Sequence, residues 1–169
     1  IRTNFGDNQE FNAMLGMQKS FFKGALSSNF NVGLQHNIYD GSLNQDPITG
    51  DQFPIYENHK NSTSFVLQTN NNLRLDKKKT WFLGANYFYV DKQQIDLGSL
   101  KSLMRLDVSI KKLWNDWTFS LDFDDVLNSY KIEVEDLQTN GNYNSVYQDQ
   151  YKNGVKLTIV YNFGNQKVK

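Results

Sequence analysis

The sequence predicts an all-β fold: an antiparallel transmembrane β-barrel segment of about seven long strands, part of a larger barrel. Three observations predict it. Apolar and polar side chains alternate with period two in run after run, the mark of a sheet with two unlike faces. The runs are about 10 to 13 residues long, where a soluble strand averages about five or six and a tilted membrane strand needs about 9–11. The segments between runs alternate strictly between short and long.

The first run, roughly 9–19, sets Phe11, Ala13, Leu15 and Met17 against Asn12, Met14, Gly16 and Gln18. The second, roughly 24–37, carries Leu26, Phe30, Val32 and Leu34 on one face. The third, roughly 62–75, carries Phe65, Leu67, Leu73 and Leu75, with Thr69 and Asn71 as polar exceptions on that face. The fourth, roughly 80–91, has Trp81, Leu83, Ala85, Tyr87 and Tyr89 against Gly84 and Asn86. The fifth, roughly 102–113, has Met104, Leu106, Val108 and Ile110 against Arg105, Asp107, Ser109 and Lys111. The sixth, 117–126, sets Trp117, Phe119, Leu121 and Phe123 against Thr118, Ser120, Asp122 and Asp124. The seventh, roughly 151–163, ends on Ile159, Tyr161 and Phe163. β-Branched and aromatic residues dominate the apolar faces, as strands prefer.

Connections 20–23, 76–79 and 115–116 are short, and 38–61, 92–101 and 127–150 are long. Outer-membrane barrels have short periplasmic turns and long external loops. The expected placement is therefore integral to the outer membrane, with long loops extracellular and the C-terminus periplasmic. Residues 1–163 are expected to be barrel strands and loops, and 164–169 a short periplasmic tail. Seven strands that end in the periplasm begin outside, and an open sheet leaves two edges in lipid. Upstream barrel strands, or another chain of the same barrel, are expected to pair with them.

Composition narrows the partners. Lys plus Arg equals Asp plus Glu at 18 each, so no charge excess points to nucleic acid. The absence of cysteine removes disulfides and thiolate metal sites. No apolar run approaches the 18 residues of a membrane helix. The two prolines, Pro47 and Pro54, fall in one stretch, consistent with paired strands elsewhere.

Two groups of side chains stand out. Trp81, Trp114, Trp117 and Phe163, with Phe21 and Phe22, sit beside short turns, and Tyr87, Tyr89 and Tyr39 near opposite strand ends. Amphipathic rings at strand ends predict girdles at the membrane–water boundaries. Trp114-Asn115-Asp116-Trp117 reads as a two-residue type I′ hairpin. That register brings Asp107 opposite Asp124 and Ser109 opposite Asp122, with Arg105 and Lys111 diagonal to them. The result is a lumenal charge cluster, read either as tuning selectivity or, the favoured reading, as a wall network that neutralises itself. His36 and His59 lack the spacing of a metal site, and no nucleophile–base, Walker or zinc motif appears. No enzyme activity and no cofactor are expected. Asn140-Gly141 is a turn signal for a hairpin within loop 127–150, and the three long loops are the expected contact surface for other outer-membrane or surface proteins.

The segment Leu121-Asp122-Phe123-Asp124-Asp125-Val126-Leu127-Asn128 resembles the penultimate strand of TonB-dependent receptor-type barrels. Leu157-Thr158-Ile159-Val160-Tyr161-Asn162-Phe163-Gly164 resembles their last strand, especially in the Bacteroidetes-type outer-membrane β-barrel family. The resemblance implies the C-terminal portion of a 22-stranded barrel with an upstream plug, or of a related plugless barrel. It also implies that Phe163 serves as the aromatic signal read by the barrel-assembly machinery. The function implied is the wall of a TonB-dependent-type transporter moving a bulky ligand. The alternatives are a non-transporting barrel, acting as scaffold or adaptor in a secretion, assembly or surface complex, and a soluble ligand-binding β-barrel.

Overall fold

A computed structural model describes residues 7–45, 48–95, 98–137, 143–149 and 153–163. In chain order the strands are β1 (Asp7–Phe21), β2 (Leu26–Gln45), β3 (Gln52–Arg74), β4 (Trp81–Val90), β5 (Gln93–Ile95), β6 (Gly98–Leu100), β7 (Leu103–Trp114), β8 (Trp117–Asp124), β9 (Ile132–Leu137), β10 (Tyr143–Gln148) and β11 (Gly154–Tyr161). The expected seven strands form one antiparallel sheet in the order β1-β2-β3-β4-β7-β8-β11. Among the described residues β1 and β11 are its two open edges. The four short strands form a second sheet in the order β10-β9-β6-β5.

Register sorts every strand of the main sheet onto two faces. One cross-strand row runs Phe21, Leu26, Leu73, Leu83, Ile110, Leu121, Leu157. A row on the other face runs Gln18, Asn29, Asn70, Asn86, Asp107. The apolar face is uncovered: Leu15 is 76 % exposed and Leu157 64 %, so it is not packed as the core of a sandwich. Thr69 and Asn71 do lie on it. Asn71 turns its amide back onto Thr69 Oγ1 at 3.2 Å and the Ala85 carbonyl at 3.3 Å, meeting its own hydrogen-bonding needs within the sheet.

The buried hydrophobic residues among those described, Val90 and Leu103, lie on the polar face instead. Val66, Val90 and Leu103 are successive register partners, and they make an apolar patch at the long-loop end.

Two expectations need correction. The stretch 38–61 is not a loop. β2 continues to Gln45 and β3 starts at Gln52, so the hairpin runs about 14 residues past the last β3–β4 pair, Val66↔Val90. At roughly 3.3 Å per residue this is a projecting arm. Pro54 is inside β3, where the register shifts between Leu43 and Gln45. A bulge tolerates the missing N–H. Tyr39 is therefore mid-strand, paired with Lys60 on the polar face, and does not belong to a girdle. The segment 92–101 in turn contains the β5–β6 hairpin. The predicted hairpin in 127–150 is present as β9–β10, with its Asn140-Gly141 turn outside the described residues.

The two faces make a direct prediction. Val108 is central in β7 on the apolar face, between Ala85 and Phe123. Val108→Arg should destabilise the barrel in lipid vesicles by about 2–4 kcal/mol. Ser109→Arg, on the other face, should cost far less. Urea unfolding midpoints in bilayers check the difference, and equal losses contradict the facing.

Candidate functional site

The polar face is a wall with a roof. After β4 the chain turns inward rather than away. Ser64, fully buried on the polar face of β3, donates its hydroxyl to the Lys92 carbonyl at 2.8 Å. The Gln94 N–H donates to Ser62 Oγ at 2.8 Å, and the Gln93 amide to Gln35 Oε1 at 2.9 Å. Ser62, Ser64 and Gln35 share the face that carries Asn31 and Gln68, so β5 lies over the polar wall. β6 then pairs with β9 through Ser99↔Glu135 and Leu100↔Val134. Lys101 clamps the joint, with Nζ 2.8 Å from both Glu133 and Glu135. Its pKa is raised, first by the hydrogen bond to Glu133 and then by that to Glu135.

Below the roof the wall is rich in amides. Gly16, Gln18, Asn29, Asn31, Gln68 and Asn70 line a depression of about 420 Å³. Gly16 leaves room there for the Asn31 amide, whose Oδ1 would stand 2.8 Å from a Cβ at that position and would have to turn aside. A second depression, of about 310 Å³, includes Asn86, Asp107, Ser109, Asp122, Asp124 and Lys156.

The expected charge cluster assembles in part. The Arg105 guanidinium grips Asp107 through Nε at 2.8 and 3.0 Å and reaches Asp124 at 3.4 Å. Ser109 opposes Asp122 as expected. Lys111 does not join: it faces Ser120 and has no ion pair among the described residues. Lys156, which the sequence reading missed, is the residue opposite Asp122 on β11.

The aromatic residues gather at the short-turn end of the apolar face. Trp114 and Trp117 are register partners. Trp117 contacts Tyr161 at 4.6 Å between ring centroids and stacks on Phe119 at 6.1 Å. Tyr161 meets Phe163 edge-on at 4.6 Å. Trp81 starts β4 at the same end. Tyr89 lies at the other end and its hydroxyl is 3.4 Å from Asp91, while Tyr87 is two residues deeper, beside Leu106 and Thr69. The Trp114–Trp117 hairpin has positive φ at Asn115 alone, 51°. That is the sign pattern of a type II′ turn rather than the expected I′.

The model of the outer membrane protein beta-barrel family matches residues 1–161. The chain belongs to that family. No match was found among curated proteins or among solved structures. For an outer-membrane barrel, the uncovered apolar face and the polar wall are the two sides expected of one barrel wall.

The barrel's Asp125 is a residue whose role the structure explains. It is 1 % exposed, and its carboxylate accepts from the Ser129 N–H and hydroxyl and the Tyr130 N–H at 3.0–3.3 Å. Its own N–H donates to Asp107 at 2.8 Å, tying the loop to the charge cluster. Asp125 and Asn128 both adopt positive φ, 44° and 49°, a conformation Asp and Asn tolerate better than other side chains. The Asp125–Asn128 motif is thus a carboxylate-capped turn. His36 and His59 are apart in use: His36 meets Thr63 at 2.8 Å, and His59 pairs with Asp40. Among the described residues no three ligand-type side chains cluster as a metal site would require.

In the short turn after β3, the Asp76 carboxylate accepts from the Thr80 and Trp81 N–H groups and the Thr80 hydroxyl at 2.8–2.9 Å. Its pKa is held below the ordinary 3.8, chiefly by the Trp81 N–H, then by Thr80, with a smaller share from Lys112. A depressed carboxylate stabilises the fold above its unfolded pKa, and that contribution is lost as pH falls through the folded value. Amide protection at Trp81 should therefore be full at neutral pH and decline below about 3.8. Asp76→Ala should remove it at every pH, as hydrogen-exchange protection factors will report. Asp125→Ala should loosen its turn by about 1–3 kcal/mol. Tryptic cleavage at Lys131 should then become rapid in the folded barrel, and an unchanged cleavage rate contradicts the capping role.

Proposed function

We propose that this chain is the C-terminal wall of an outer-membrane transporter of the TonB-dependent type, moving a bulky ligand and having no catalytic role. The short turns lie in the periplasm, the long connections outside, and the apolar face meets lipid. Further strands, upstream or on another chain, pair with β1 and β11 and close the barrel, because open edges are not tolerated in hydrocarbon. The observation that carries the reading is the roofed polar wall. The β5–β6 hairpin is hydrogen-bonded onto Gln35, Ser62 and Ser64 at the mouth, above an uncharged amide-lined surface that opens into the Arg105–Asp107–Asp124 cluster. The Asp125–Asn128 turn and the Tyr161-Asn162-Phe163 close support the receptor-type assignment through the resemblance of their motifs. Phe163 would present its ring to the barrel-assembly machinery.

The projecting β2–β3 arm favours a second reading. An arm that reaches well past the membrane suits a scaffold or adaptor that engages another surface protein.

Labelling separates the two. Asn70→Cys in the full-length protein should react with a small water-soluble maleimide added to intact cells, whereas Val108→Cys should not. For a transporter energised from the inner membrane, the Asn70→Cys labelling rate should change when an uncoupler collapses the proton-motive force. A rate indifferent to the uncoupler favours the scaffold, and labelling of Val108→Cys sinks both.

A further inference from the structure

We propose that Lys112, with Trp81 and Thr80, forms a binding site for the phosphate of an anionic phospholipid at the short-turn boundary of the membrane. Register places Lys112 on the apolar face, between Trp81 on β4 and Phe119 on β8. Between the short turns and the level of the last β3–β4 pair, this face carries one other charged residue among those described, Lys19 on β1. Lys19 is at the same end, with Nζ 5.5 Å from the Phe21 ring centroid. An ammonium on a hydrocarbon-facing surface is tolerated where its stem lets the charge reach the interface.

The geometry around Lys112 is that of a site left open to an anion. Its Nζ lies 4.7 Å from the Trp81 ring centroid and donates to Thr80 Oγ1 at 2.9 Å. Thr80 donates its own hydroxyl hydrogen bond to Asp76, whose carboxylate is already met by two backbone N–H groups. Asp76 is the acid of this turn that acts on Lys112, against Lys112 itself and the exposed Lys77, Lys78 and Lys79 of the same turn. The balance is positive. In direct contact Lys112 has one neutral oxygen and one ring, while the Asp76 carboxylate acts on it only through space as the smallest of its own stabilising interactions, which leaves ammonium donors for a phosphate oxygen.

The surroundings choose lipid over a free ion. Leu83, Ile110 and Leu121 lie next on the same face, towards the membrane centre. A headgroup held at Lys112 would lay its acyl chains along them, while Trp81, Trp114 and Trp117 fix the level of the interface. Basic pockets at this depth are a known way for membrane proteins to select acidic headgroups. The inference rests on the apolar face meeting lipid and on the short turns being periplasmic, but not on transport.

The test is native mass spectrometry of the full-length barrel in mild detergent, after exchange with equal phosphatidylglycerol and phosphatidylcholine. The wild type should retain phosphatidylglycerol preferentially. Lys112→Gln should lower that retention several-fold, Lys112→Arg should keep it, and Lys111→Gln, on the other face, should leave it unchanged. Equal retention by wild type and Lys112→Gln overturns the site. So does ready displacement of the lipid by excess inorganic phosphate, which would reveal a plain anion site. Loss of the lipid-facing assignment itself would show separately, as tolerance of Val108→Arg in bilayers.

Discussion

A backbone N–H placed in hydrocarbon has one acceptor within reach, the carbonyl of the adjacent strand. That constraint orders this molecule. It explains why β1 and β2 pair without a break over the spanning part, from Met14↔Gly33 to Phe21↔Leu26. It also explains why a side chain such as Asn71, caught on the apolar face, folds back onto Thr69 and a sheet carbonyl. Between its two open edges, the sheet pairs its backbone groups strand to strand along its spanning length. The side chains are then free to differ by face, one set suited to acyl chains and one to an aqueous interior.

The strands were legible because two unlike solvents flank them. Where both conditions hold, as in β7 and β8, alternation marks the element to within a residue or two. The signal fails where one condition lapses. In the projecting arm, beyond the last β3–β4 pair, the polar residues Asn37, Tyr39 and Asp40 fall on both faces, so the pairing leaves no period in the sequence. There the polar composition resembled a loop, though the ladder runs on to Gln45. The opposite lapse occurs at the end of β4. Tyr87-Phe88-Tyr89-Val90 is apolar without interruption, the pattern of a strand covered on both sides, and Val90 is indeed buried beneath the inward turn.

The roof itself was not legible. Its strands are three residues long, too short to carry a period, and the groups that anchor it are ordinary wall residues. Nothing in the spacing of Gln35, Ser62 and Ser64 says that they hold another segment. The charge cluster was half legible for a similar reason. Arg105 meets Asp107 two residues along its own strand and reaches Asp124 across on β8, where its planar fork can serve two carboxylates. The hairpin register sets Lys111 opposite Ser120, but register alone does not say whether a long side chain will reach a diagonal aspartate, and this one does not. The tryptophan corner was easier, since Trp114 and Trp117 are separated by a turn that fixes their pairing.

The β6–β9 joint has a mechanical consequence. Ser99 and Leu100 share ladder hydrogen bonds with Glu135 and Val134, and Lys101 bridges both acids. The connection between β4 and β7 and the connection between β8 and β11 therefore travel as one plate, hinged at its far side on β2 and β3. Neither connection can shift alone unless the Ser99–Glu135 and Leu100–Val134 ladder and the two Lys101 bridges break, so two segments far apart in sequence behave as a single cooperative element rather than as independent loops.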